Sequence, residues 1–502
     1  MLEVLNALRT AASSRPRAIA FDEPGRSITN EELAARVGGL AKRLRSAGRV
    51  IGIHGGDGID WIVADLATAA AGRTAVPLPG FFSARQIGHI VADAGIDCVV
   101  TTEGNDAGHA LLCGRTVGTD AVPAALEMPA EVPTRIVYTS GTTGRPKGVL
   151  LGAHQIDLTC AALETASGAR STDRHLSVLP LSTLLESICG LYLPIRVGAR
   201  AMLCGASILS GEPREAAVRL AKAAARERPT TMVLTPQLLD GWMTAVDFRM
   251  ARVPDGLRFV AVGGAPSGKP LLDRAWQAGI PAFEGYGLSE CCSVVALNVP
   301  GASRAGTVGR ALPHVSVTLD DGEIVVRSDA VMRGYVGGPD AGGVCRTGDI
   351  GTIDGSGYLT VVGRKDNLIV LPNGRKLSPE WVEAEIGADP RIALCMVFAD
   401  RRRRIVAAIA WSATGRSWAG RSSRADVEEF VAERCRDLPA YARPDRVVFL
   451  GEADIRREDI FTESGKLRRT AITGRLAVRA SMEIAPVIDA REMHDVLRST
   501  AR

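Results

Sequence analysis

Short apolar runs alternate with helix-like segments through the first hundred residues of this chain. The runs VIGIHG (50–55), RTAVPL (73–78) and IDCVVTT (96–102) have the composition of buried strands. The segments between them carry apolar residues at helical spacing. Strands that alternate with helices are typical of a parallel sheet with helices on its faces, and a length of 502 residues favours two to four domains. The sequence therefore predicts an α/β fold of more than one domain.

The pattern changes near residue 315, where hairpins replace the alternation of strands and helices. The segment VSVTLDDGEIVVRS (315–328) places a DG turn between two alternating runs, and IGTIDGSGYLTVVGR (350–364) repeats that pattern. Residues beyond 364 mix helical and strand-like runs. We therefore predict a large N-terminal domain of α/β subdomains over residues 1–364 with a β-rich part at about 305–364, a small α+β domain over 365–475 and a tail over 476–502.

Composition and charge argue against several classes of protein. A net charge of +4 is too small, and 4% aromatic residues are too few, for a nucleic-acid surface. The ten cysteines include no CxxC pair, so neither a zinc site nor a disulfide framework is indicated. The first residues lack a basic segment followed by an apolar block, and no apolar run is long enough to span a membrane. These features predict a cytoplasmic protein without nucleic-acid partners.

The loop SGTTGRPKG (140–148) is rich in glycine, hydroxyl groups and positive charge. Backbone N–H groups in such a loop can approach a phosphate closely, and the hydroxyls and the lysine add further donors. It is not a Walker loop, because Lys147 follows a proline and precedes a glycine. The strand-like run RIVYT (135–139) precedes the loop, and a helix is expected to follow it toward LLGAHQIDLTCAAL (150–163). The sequence thus predicts a phosphate-binding loop between a strand and a helix.

The string YTSGTTGRPKGV (138–149) resembles the signature of the adenylate-forming, or AMP-binding, superfamily. That superfamily includes acyl-CoA synthetases, aryl-CoA ligases, luciferases and adenylation domains. Five further motifs follow in the family order: VGGAP (262–266), EGYGLSE (284–290), RTGDIG (346–351), GRKDNLI (363–369) and ESGKLRR (463–469). The resemblance covers nearly the whole chain and is strongest to acyl-CoA synthetases of the long-chain fatty acid–CoA ligase type.

This resemblance implies an enzyme that activates a carboxylic acid with ATP. The carboxylate attacks the α-phosphate, pyrophosphate leaves, and the acyl group passes to a thiol, with CoA as the expected acceptor. ATP, Mg²⁺ and CoA are the implied cofactors. Both reactants are anions, so the site must offset their repulsion with cationic groups.

The resemblance also implies which residues hold the nucleotide. ATP and AMP would contact Ser140, Gly141, Thr142, Thr143, Gly144, Lys147, Gly264, Ala265, Pro266, Tyr286, Gly287, Ser289, Asp349 and Arg364. Of these, Lys147 and Thr142 would act in catalysis by holding the β- and γ-phosphates together with Thr143. Asp349 would accept the ribose hydroxyls, and Arg364 would contact the ribose or a phosphate.

Two further catalytic residues are implied by the resemblance. Glu290 would be the Mg²⁺ ligand, because that ion prefers carboxylate oxygens. Lys466 would neutralise charge that develops between the carboxylate and the α-phosphate. In the family a small, mobile C-terminal domain carries this lysine and takes two orientations about a hinge. Asp366 matches the hinge, and Gly374 would line the path of the thiol.

The acyl pocket is expected around the helix after LPL (179–181), near the adenine turn and the EGYGLSE motif. The resemblance places Thr183, Leu184, Cys189, Gly263 and Cys291 there. Many relatives have a histidine where Thr183 stands. The run from LPL to Glu186 is similar to long-chain members, so a medium- or long-chain fatty acid is predicted, with an aryl acid as the main alternative. No aspartate stands where it would bind an α-amino group, which argues against an amino acid substrate.

The acceptor and the class of protein leave alternatives open. The segment between YGLSE and RTGD is compact, without the insertion of ligases that load an acyl carrier protein, and this favours CoA. Some relatives use adenylates to close lactones or to form amides. A non-catalytic nucleotide-binding relative and a P-loop phosphotransferase are the alternatives from other classes. The first is disfavoured because the residues of the site are all present, namely Lys147, Glu290, Asp349, Arg364 and Lys466.

Overall fold

A computed structural model describes most of the chain up to residue 450. The described ranges are 1–102, 115–139, 146–210, 213–247, 249, 251–371, 376–400, 404–436 and 438–450. The chain divides into two compact units. Unit 1 comprises Met1–Ser267, Leu272–Thr347 and Ile353–Thr360, and unit 2 comprises Gly268–Leu271, Gly348–Thr352 and the residues from Val361 onward. The domain boundary predicted after residue 364 stays a prediction.

The elements of the first half alternate between strands and helices, in this order: α1 (Leu2–Ser14), β1 (Ile19–Glu23), β2 (Arg26–Thr29), α2 (Asn30–Leu44), β3 (Val50–His54), α3 (Ile59–Ala70), β4 (Thr74–Leu78), α4 (Ala84–Ala94), β5 (Cys98–Thr101), β6 (Thr116–Gly118), β7 (Thr134–Thr139), β8 (Lys147–Gly152), α5 (Ala153–Ser167), β9 (Arg174–Ser177), α6 (Leu184–Glu186), α7 (Leu193–Val197), β10 (Arg200–Leu203), α8 (Gly205–Leu209), α9 (Pro213–Glu227), β11 (Thr231–Leu234) and α10 (Pro236–Asp247). A π-helical segment, Ser187–Tyr192, joins α6 to α7.

The later elements include more strands than helices: β12 (Phe259–Val262), α11 (Lys269–Gln277), β13 (Ala282–Tyr286), β14 (Ala296–Leu297), β15 (Arg310–Ala311), β16 (Ser316–Asp320), β17 (Glu323–Arg327), β18 (Gly334–Tyr335), β19 (Val344–Ile353), β20 (Leu359–Arg364), β21 (Ile369–Val370), β22 (Lys376–Leu377), α12 (Pro379–Gly387), β23 (Ile392–Ala399), β24 (Ile405–Trp411), α13 (Ala413–Ala419), α14 (Arg424–Arg434) and β25 (Arg446–Phe449). None of the helices in the described part of the chain is long and apolar enough to cross a membrane.

Two large mixed sheets form the centre of unit 1. One has nine strands in the order β15-β14-β13-β12-β11-β9-β10-β1-β2, and the other has seven in the order β18-β8-β7-β4-β3-β5-β6. The pairs β9–β10, β9–β11, β11–β12 and β12–β13 of the first sheet are parallel, as are β3–β4, β3–β5 and β4–β7 of the second. The carboxyl ends of β9, β11, β12 and β13 therefore lie at one edge of the first sheet. The predicted α/β fold is confirmed.

Local sequence signals account for the helices of this unit. Helix α2 begins with a capping box, in which the Thr29 hydroxyl accepts a hydrogen bond from the backbone N–H of Glu32 and the Glu32 carboxylate accepts one from the backbone N–H of Thr29. Helix α3 is apolar on all sides, and every residue but Asp60 is buried. Such a helix lies inside a domain rather than on its surface. Its one buried acid, Asp65, needs a charged partner inside the protein.

The loop at 140–148 joins two strands, so the prediction that a helix directly follows it was wrong. Strands β7 and β8 are antiparallel neighbours with Thr139 opposite Lys147. Helix α5 begins only at Ala153. The run KGVLLG (147–152) has an apolar centre in which Val149 and Leu151 are buried, and its pairing with β7 provides hydrogen-bond partners for the backbone of both strands.

Hairpins and a small sheet make up the rest of the described chain. The predicted hairpin at 315–328 is confirmed, because β16 pairs antiparallel with β17 across Asp321 and Gly322. Both turn residues have positive φ, 49° and 77°, as a type I′ turn requires. In unit 2 the sheet β23-β24-β25 packs against α12 and α14 around an apolar core that includes Val382, Ile409 and Phe430.

Candidate functional site

The predicted phosphate loop is described only at its basic end. Ser140, Gly141, Thr142, Thr143 and Gly144 lie outside the described residues. Lys147 begins β8 and is exposed. Its ammonium nitrogen lies 5.6 Å from the centre of the Tyr335 ring, within the range of a cation–π contact. Tyr335 reaches this position because β18 pairs with β8, with Tyr335 opposite Val149.

The same tyrosine also binds the predicted Mg²⁺ ligand. The Tyr335 hydroxyl donates a hydrogen bond of 2.8 Å to Glu290 Oε1. The backbone N–H of Met332, on the segment that leads to β18, donates to the Glu290 carbonyl oxygen at 2.8 Å. Lys147 and Glu290 are 143 positions apart in the sequence, and Tyr335 brings them to one place. The sequence analysis missed Tyr335, because it stands outside the family motifs.

The backbone after Glu290 adopts a conformation that is rare for non-glycine residues. Cys292 and Ser293 have φ values of 55° and 86°, and such positions cost roughly 1–3 kcal/mol each. Hydrogen bonds from Cys292 N to Ser289 O at 3.0 Å and from Ser293 N to Leu288 O at 3.1 Å hold the turn. Strained backbone of this kind is concentrated at binding and catalytic sites, and here it follows the motif glutamate directly.

Glycine is required at position 287 of the same motif. A Cβ at Gly287 would lie 1.5 Å from the carbonyl oxygen of Ser293, so any side chain would displace the turn. Tyr286 ends β13 and Ser289 begins the short 3₁₀ turn that carries Glu290. The EGYGLSE motif therefore comprises the carboxyl end of β13 and the turn that follows it.

The predicted adenine turn follows the neighbouring strand β12. Gly263 N donates to Leu234 O at 3.1 Å, and Gly264 has a φ of +85° with open space where a Cβ would stand. Ala265 is half-buried and Pro266 is exposed. The next residue, Ser267, donates its N–H to Glu284 Oε1 at 2.9 Å.

Glu284 ties this turn to the first residue of the EGYGLSE motif. Its carboxylate is buried, and burial raises the pKa of Glu284 while the Ser267 N–H opposes that rise. The adenine turn and the Glu290 turn are consequently linked at adjacent carboxyl ends of parallel strands. Ligands bind at this edge in open α/β sheets.

The predicted ribose residues lie together in unit 2. Arg364 Nη1 donates to Asp349 Oδ1 at 3.0 Å, and the Asp349 side chain is 11% exposed against 44% for Arg364. Gly348, with a φ of +69°, lets Arg364 pass close to the backbone. Asp366 lies on an exposed 3₁₀ turn, Lys365–Asn367. The predicted thiol-path and catalytic residues Gly374 and Lys466 lie outside the described residues.

The helix predicted to line the acyl pocket is irregular. Thr183 stands at the N-cap position of the short helix α6, and its hydroxyl donates to Pro180 O at 2.7 Å. The π-helical segment follows, with Leu184 on one side of the junction and Cys189 on the other, both buried. Inserted π turns are frequent at functional sites, since they re-aim side chains that a regular helix would place elsewhere.

A buried ion pair anchors this π-helical segment to the second sheet. Arg135, on β7, is hydrogen-bonded to the Asp65 carboxylate, to Tyr192 at 2.7 Å and to Ser187 Oγ at 2.8 Å. The Tyr192 hydroxyl donates to Asp65 Oδ2 at 2.5 Å. Arg135 is 1% exposed and Asp65 is fully buried. Both ends of the π-helical segment are therefore hydrogen-bonded to the same guanidinium group, that of Arg135. The sequence analysis missed this network, because lone charged residues are expected at the surface.

The cysteine predicted in the acyl pocket beside Glu290 is a neutral thiol. Cys291 is buried, and its hydrogen bond with Cys345, together with burial, raises the pKa of Cys291. Burial likewise raises the pKa of Cys189. Both residues therefore offer polarisable, uncharged surface. That Thr183, Leu184, Cys189, Gly263 and Cys291 line a common pocket stays a prediction.

Comparison with known proteins adds relatives that span most of the chain. A feruloyl-CoA synthase from an Amycolatopsis species is 28% identical over 478 residues, which cover 87% of this chain and 93% of that protein. A long-chain-fatty-acid–CoA ligase, FadD15 of Mycobacterium bovis, is 28% identical over 459 residues, 76% of each chain. The named relatives thus include both an aryl-acid and a fatty-acid enzyme.

Solved structures share the fold across nearly the full length. The anthranilate CoA ligase AuaEII in complex with anthranoyl-AMP gives a TM-score of 0.83 at 20% identity, covering 95% of this chain and 98% of that one. The o-succinylbenzoate CoA synthetase MenE of Bacillus subtilis, in complex with ATP and a magnesium ion, gives 0.77 at 22% identity, covering 93% and 98%.

Two family models match consecutive parts of the sequence. The model described as "AMP-binding enzyme" matches residues 8–336, and the model described as "AMP-binding enzyme C-terminal domain" matches residues 366–477. The first model alone covers more than half of the 502 residues. The chain belongs to the AMP-binding enzyme family, the adenylate-forming superfamily.

Proposed function

We propose that this chain couples a carboxylic acid to CoA through an acyl-adenylate, as an AMP-forming acid–thiol ligase. ATP, Mg²⁺ and CoA serve the two half-reactions. The observation that carries the proposal is the link through Tyr335, which joins Lys147 to Glu290 in unit 1. The ammonium group of Lys147, proposed to bind the phosphates, and the carboxylate of Glu290, proposed to bind Mg²⁺, both contact this one side chain.

In the first half-reaction a carboxylate oxygen of the acid attacks the α-phosphorus of ATP. The bond from that phosphorus to the bridging oxygen of the β-phosphate breaks, and pyrophosphate leaves with its electron pair. Lys147 offsets the charge of the β- and γ-phosphates at the exposed start of β8. Glu290 is a ligand of the chemical type that Mg²⁺ prefers, and the ion, when bound there, withdraws charge from the phosphate oxygens. Tyr335 orients the Glu290 carboxylate through their hydrogen bond.

The ribose and the second half-reaction involve residues of unit 2. Arg364 donates a hydrogen bond to the Asp349 carboxylate, and Asp349 would accept hydrogen bonds from the ribose hydroxyls. Lys466 would stabilise the transition state of adenylation. Asp366 would be the hinge, and Gly374 would border the thiol when CoA attacks the adenylate and AMP leaves.

The acid is proposed to be largely apolar. The residues assigned to its pocket are small, apolar or neutral thiols, namely Thr183, Leu184, Cys189, Gly263 and Cys291. A medium- or long-chain fatty acid agrees with the run from LPL to Glu186, and an aryl acid agrees with the similarity to feruloyl-CoA synthase. Transfer to an acyl carrier protein instead of CoA is the alternative for the second step.

The test is acid-dependent exchange of labelled pyrophosphate into ATP with Mg²⁺, over a panel of fatty acids of graded length and of aryl acids. We expect exchange with one of these classes, and thioester formation when CoA is added. Lys147→Ala and Glu290→Gln should each lower the exchange rate by at least about ten-fold, with Lys42→Ala, an exposed lysine of α2, as the matched control. No exchange with any acid, together with tight ATP binding, would establish a non-catalytic nucleotide-binding protein instead. Thioester formation only with a carrier protein would correct the acceptor.

A further inference from the structure

Glu186 is a charged residue that the reaction described above does not use. It ends helix α6 and is fully buried. Within the described residues neither of its carboxylate oxygens has a hydrogen-bond partner. Burial of a carboxylate without partners is strongly unfavourable, so its surroundings should indicate what it binds.

His175 faces Glu186 from the neighbouring sheet. Its Nε2 lies 3.8 Å from Glu186 Oε1, which is too long for a hydrogen bond. The other ring nitrogen, Nδ1, is hydrogen-bonded to Thr231 Oγ1 at 3.0 Å, so the ring is fixed by strand β11. His175 is 5% exposed, and its Nε2 has no hydrogen-bond partner in the part of the chain that the structure describes. Three polar atoms are therefore unsatisfied at the interface between α6 and strand β9.

A second acid, Asp57, lies near this cluster. Asp57 accepts a hydrogen bond from the backbone N–H of Leu181 at 2.8 Å. Burial raises the pKa of Asp57 to about 7, the Leu181 N–H lowers it, and the proximity of Glu186 raises it further. The groups that act on Asp57 thus include a second acid and no cation. A group that donates hydrogen bonds, or carries positive charge, would be favoured beside Glu186.

The local sequence leaves room for this carboxylate. Gly190 lies one turn along the π-helical segment, and a Cβ there would come within 2.4 Å of Glu186 Oε1 and 3.2 Å of Ser177 Oγ. Cys189, the preceding residue, is assigned to the acyl pocket, and Glu186 contributes to the raised pKa of its thiol. The unsatisfied cluster consequently borders the helix that is proposed to contact the acyl group.

We propose that Glu186 and His175 form a polar subsite for the acyl group, which selects carboxylic acids that carry a hydrogen-bond donor, a hydroxyl or an amino group, on an otherwise apolar body. The donor would bond to a Glu186 oxygen, and His175 Nε2 would bond to the same substituent. This inference rests on the proposed acid–CoA ligase function. A site built to bind a substrate donor rejects the analogue that lacks it, because its own buried polar atoms then stay unpaired.

The test compares matched acids in the full-length protein. Two scaffolds are used, cinnamic acid and octanoic acid, each as the plain acid and with a hydroxyl or an amino group at successive positions. Acid-dependent pyrophosphate exchange gives kcat/KM for every member. We expect the best donor-bearing acid of one scaffold to exceed its plain parent by at least about ten-fold in the wild-type protein. Whether the hydroxyl-bearing or the amino-bearing acid has the higher kcat/KM identifies the hydrogen-bond donor that the subsite selects.

Variants then assign the preference to Glu186. Glu186→Gln should reduce the donor-to-plain ratio of kcat/KM by about ten-fold or more. Glu31→Gln, an exposed glutamate in the first turn of α2, is the matched control and should leave the ratio unchanged. Gly190→Ala is a second variant that displaces the carboxylate and keeps its charge, and it should lower the same ratio.

The measurements separate failure of the proposed subsite from failure of the proposed ligase function. A wild-type ratio near one with active plain acids would overturn the subsite, whatever the variants do, and would mean that ordered water satisfies the cluster. A wild-type preference that Glu186→Gln and Gly190→Ala both leave intact would also overturn it. Absence of exchange with every acid would instead refute the proposed function on which the inference depends.

Discussion

Removal of one partner from the buried pair of Asp65 and Arg135 should destabilise unit 1 strongly. Asp65→Ala leaves the buried guanidinium of Arg135 with Tyr192 and Ser187 as its hydrogen-bond partners among the described residues. Loss of one partner of a buried ion pair costs about 3–5 kcal/mol. Two interactions are lost here, because Asp65 also accepts from the Tyr192 hydroxyl, so we expect a value near the upper end of that range.

The assay is denaturant unfolding at neutral pH, followed by tryptophan fluorescence. Trp61 is a suitable probe, because the Arg135 guanidinium carbon lies 5.8 Å from the centre of its ring. The double variant Asp65→Leu with Arg135→Met removes both charges and should recover most of the loss, since a hydrophobic replacement of a buried pair is often neutral. The π-helical segment should also loosen in Asp65→Ala, which we expect to raise KM for the acid more than KM for ATP.

A small loss of unfolding free energy in Asp65→Ala would contradict the expected cost of an unpaired buried charge. A loss under about 1 kcal/mol for Asp65→Ala would be that of an exposed pair, and would mean that the guanidinium finds water or another acceptor. A double variant as unstable as Asp65→Ala would show that packing volume, rather than the unpaired charge, governs the site.

Three further predictions concern the active site and its pH dependence. Lys466→Ala should impair adenylation far more than thioester formation from a supplied acyl-adenylate, and equal loss in both assays would refute its proposed role. Tyr335→Phe keeps the ring over Lys147 and removes the hydrogen bond to Glu290, so exchange should fall by about ten-fold and the Mg²⁺ requirement should rise, whereas unchanged Mg²⁺ titrations would exclude the orienting role. The pKa of Asp57 is raised to about 7 in the folded state from 3.8, so the folded protein binds more protons than the unfolded chain between these values. The free energy of unfolding should therefore fall as pH rises from about 4 to 7, and Asp57→Asn should flatten that slope in denaturation measured at pH 5 and pH 8.

Local patterns in the sequence were sufficient for the alternating part of the fold. The runs at β3, β4 and β5 and the helical spacing between them are properties of neighbouring residues, so strand and helix could be predicted without knowledge of distant contacts. The turn at Asp321 and Gly322 was predictable for the same reason, since a DG pair between alternating runs meets the φ requirement of a type I′ turn. Motif strings likewise predicted that Lys147 and Glu290 belong to one site, and in the folded chain both contact Tyr335.

Contacts between distant segments were decided only by the tertiary structure. The run after the phosphate loop was predicted to lead into a helix, and it forms β8 because β7 and β18 pair with it on either side. Strand β18 is only two residues long, which is too short for an alternating pattern of apolar and polar residues. The position of Tyr335 beside β8 could therefore not be predicted from the sequence.

Buried charge was the other feature that the sequence did not reveal. Arg135 and Asp65 are 70 positions apart in the sequence. His175 lies on strand β9 and Glu186 on helix α6, so no single periodic pattern in the sequence relates the two residues. Taken singly, a charged residue is expected at the surface, because burial without a partner is costly. Only the folded chain shows which charges have hydrogen-bond partners inside the protein, as Arg135 does, and which have none among the described residues, as with Glu186.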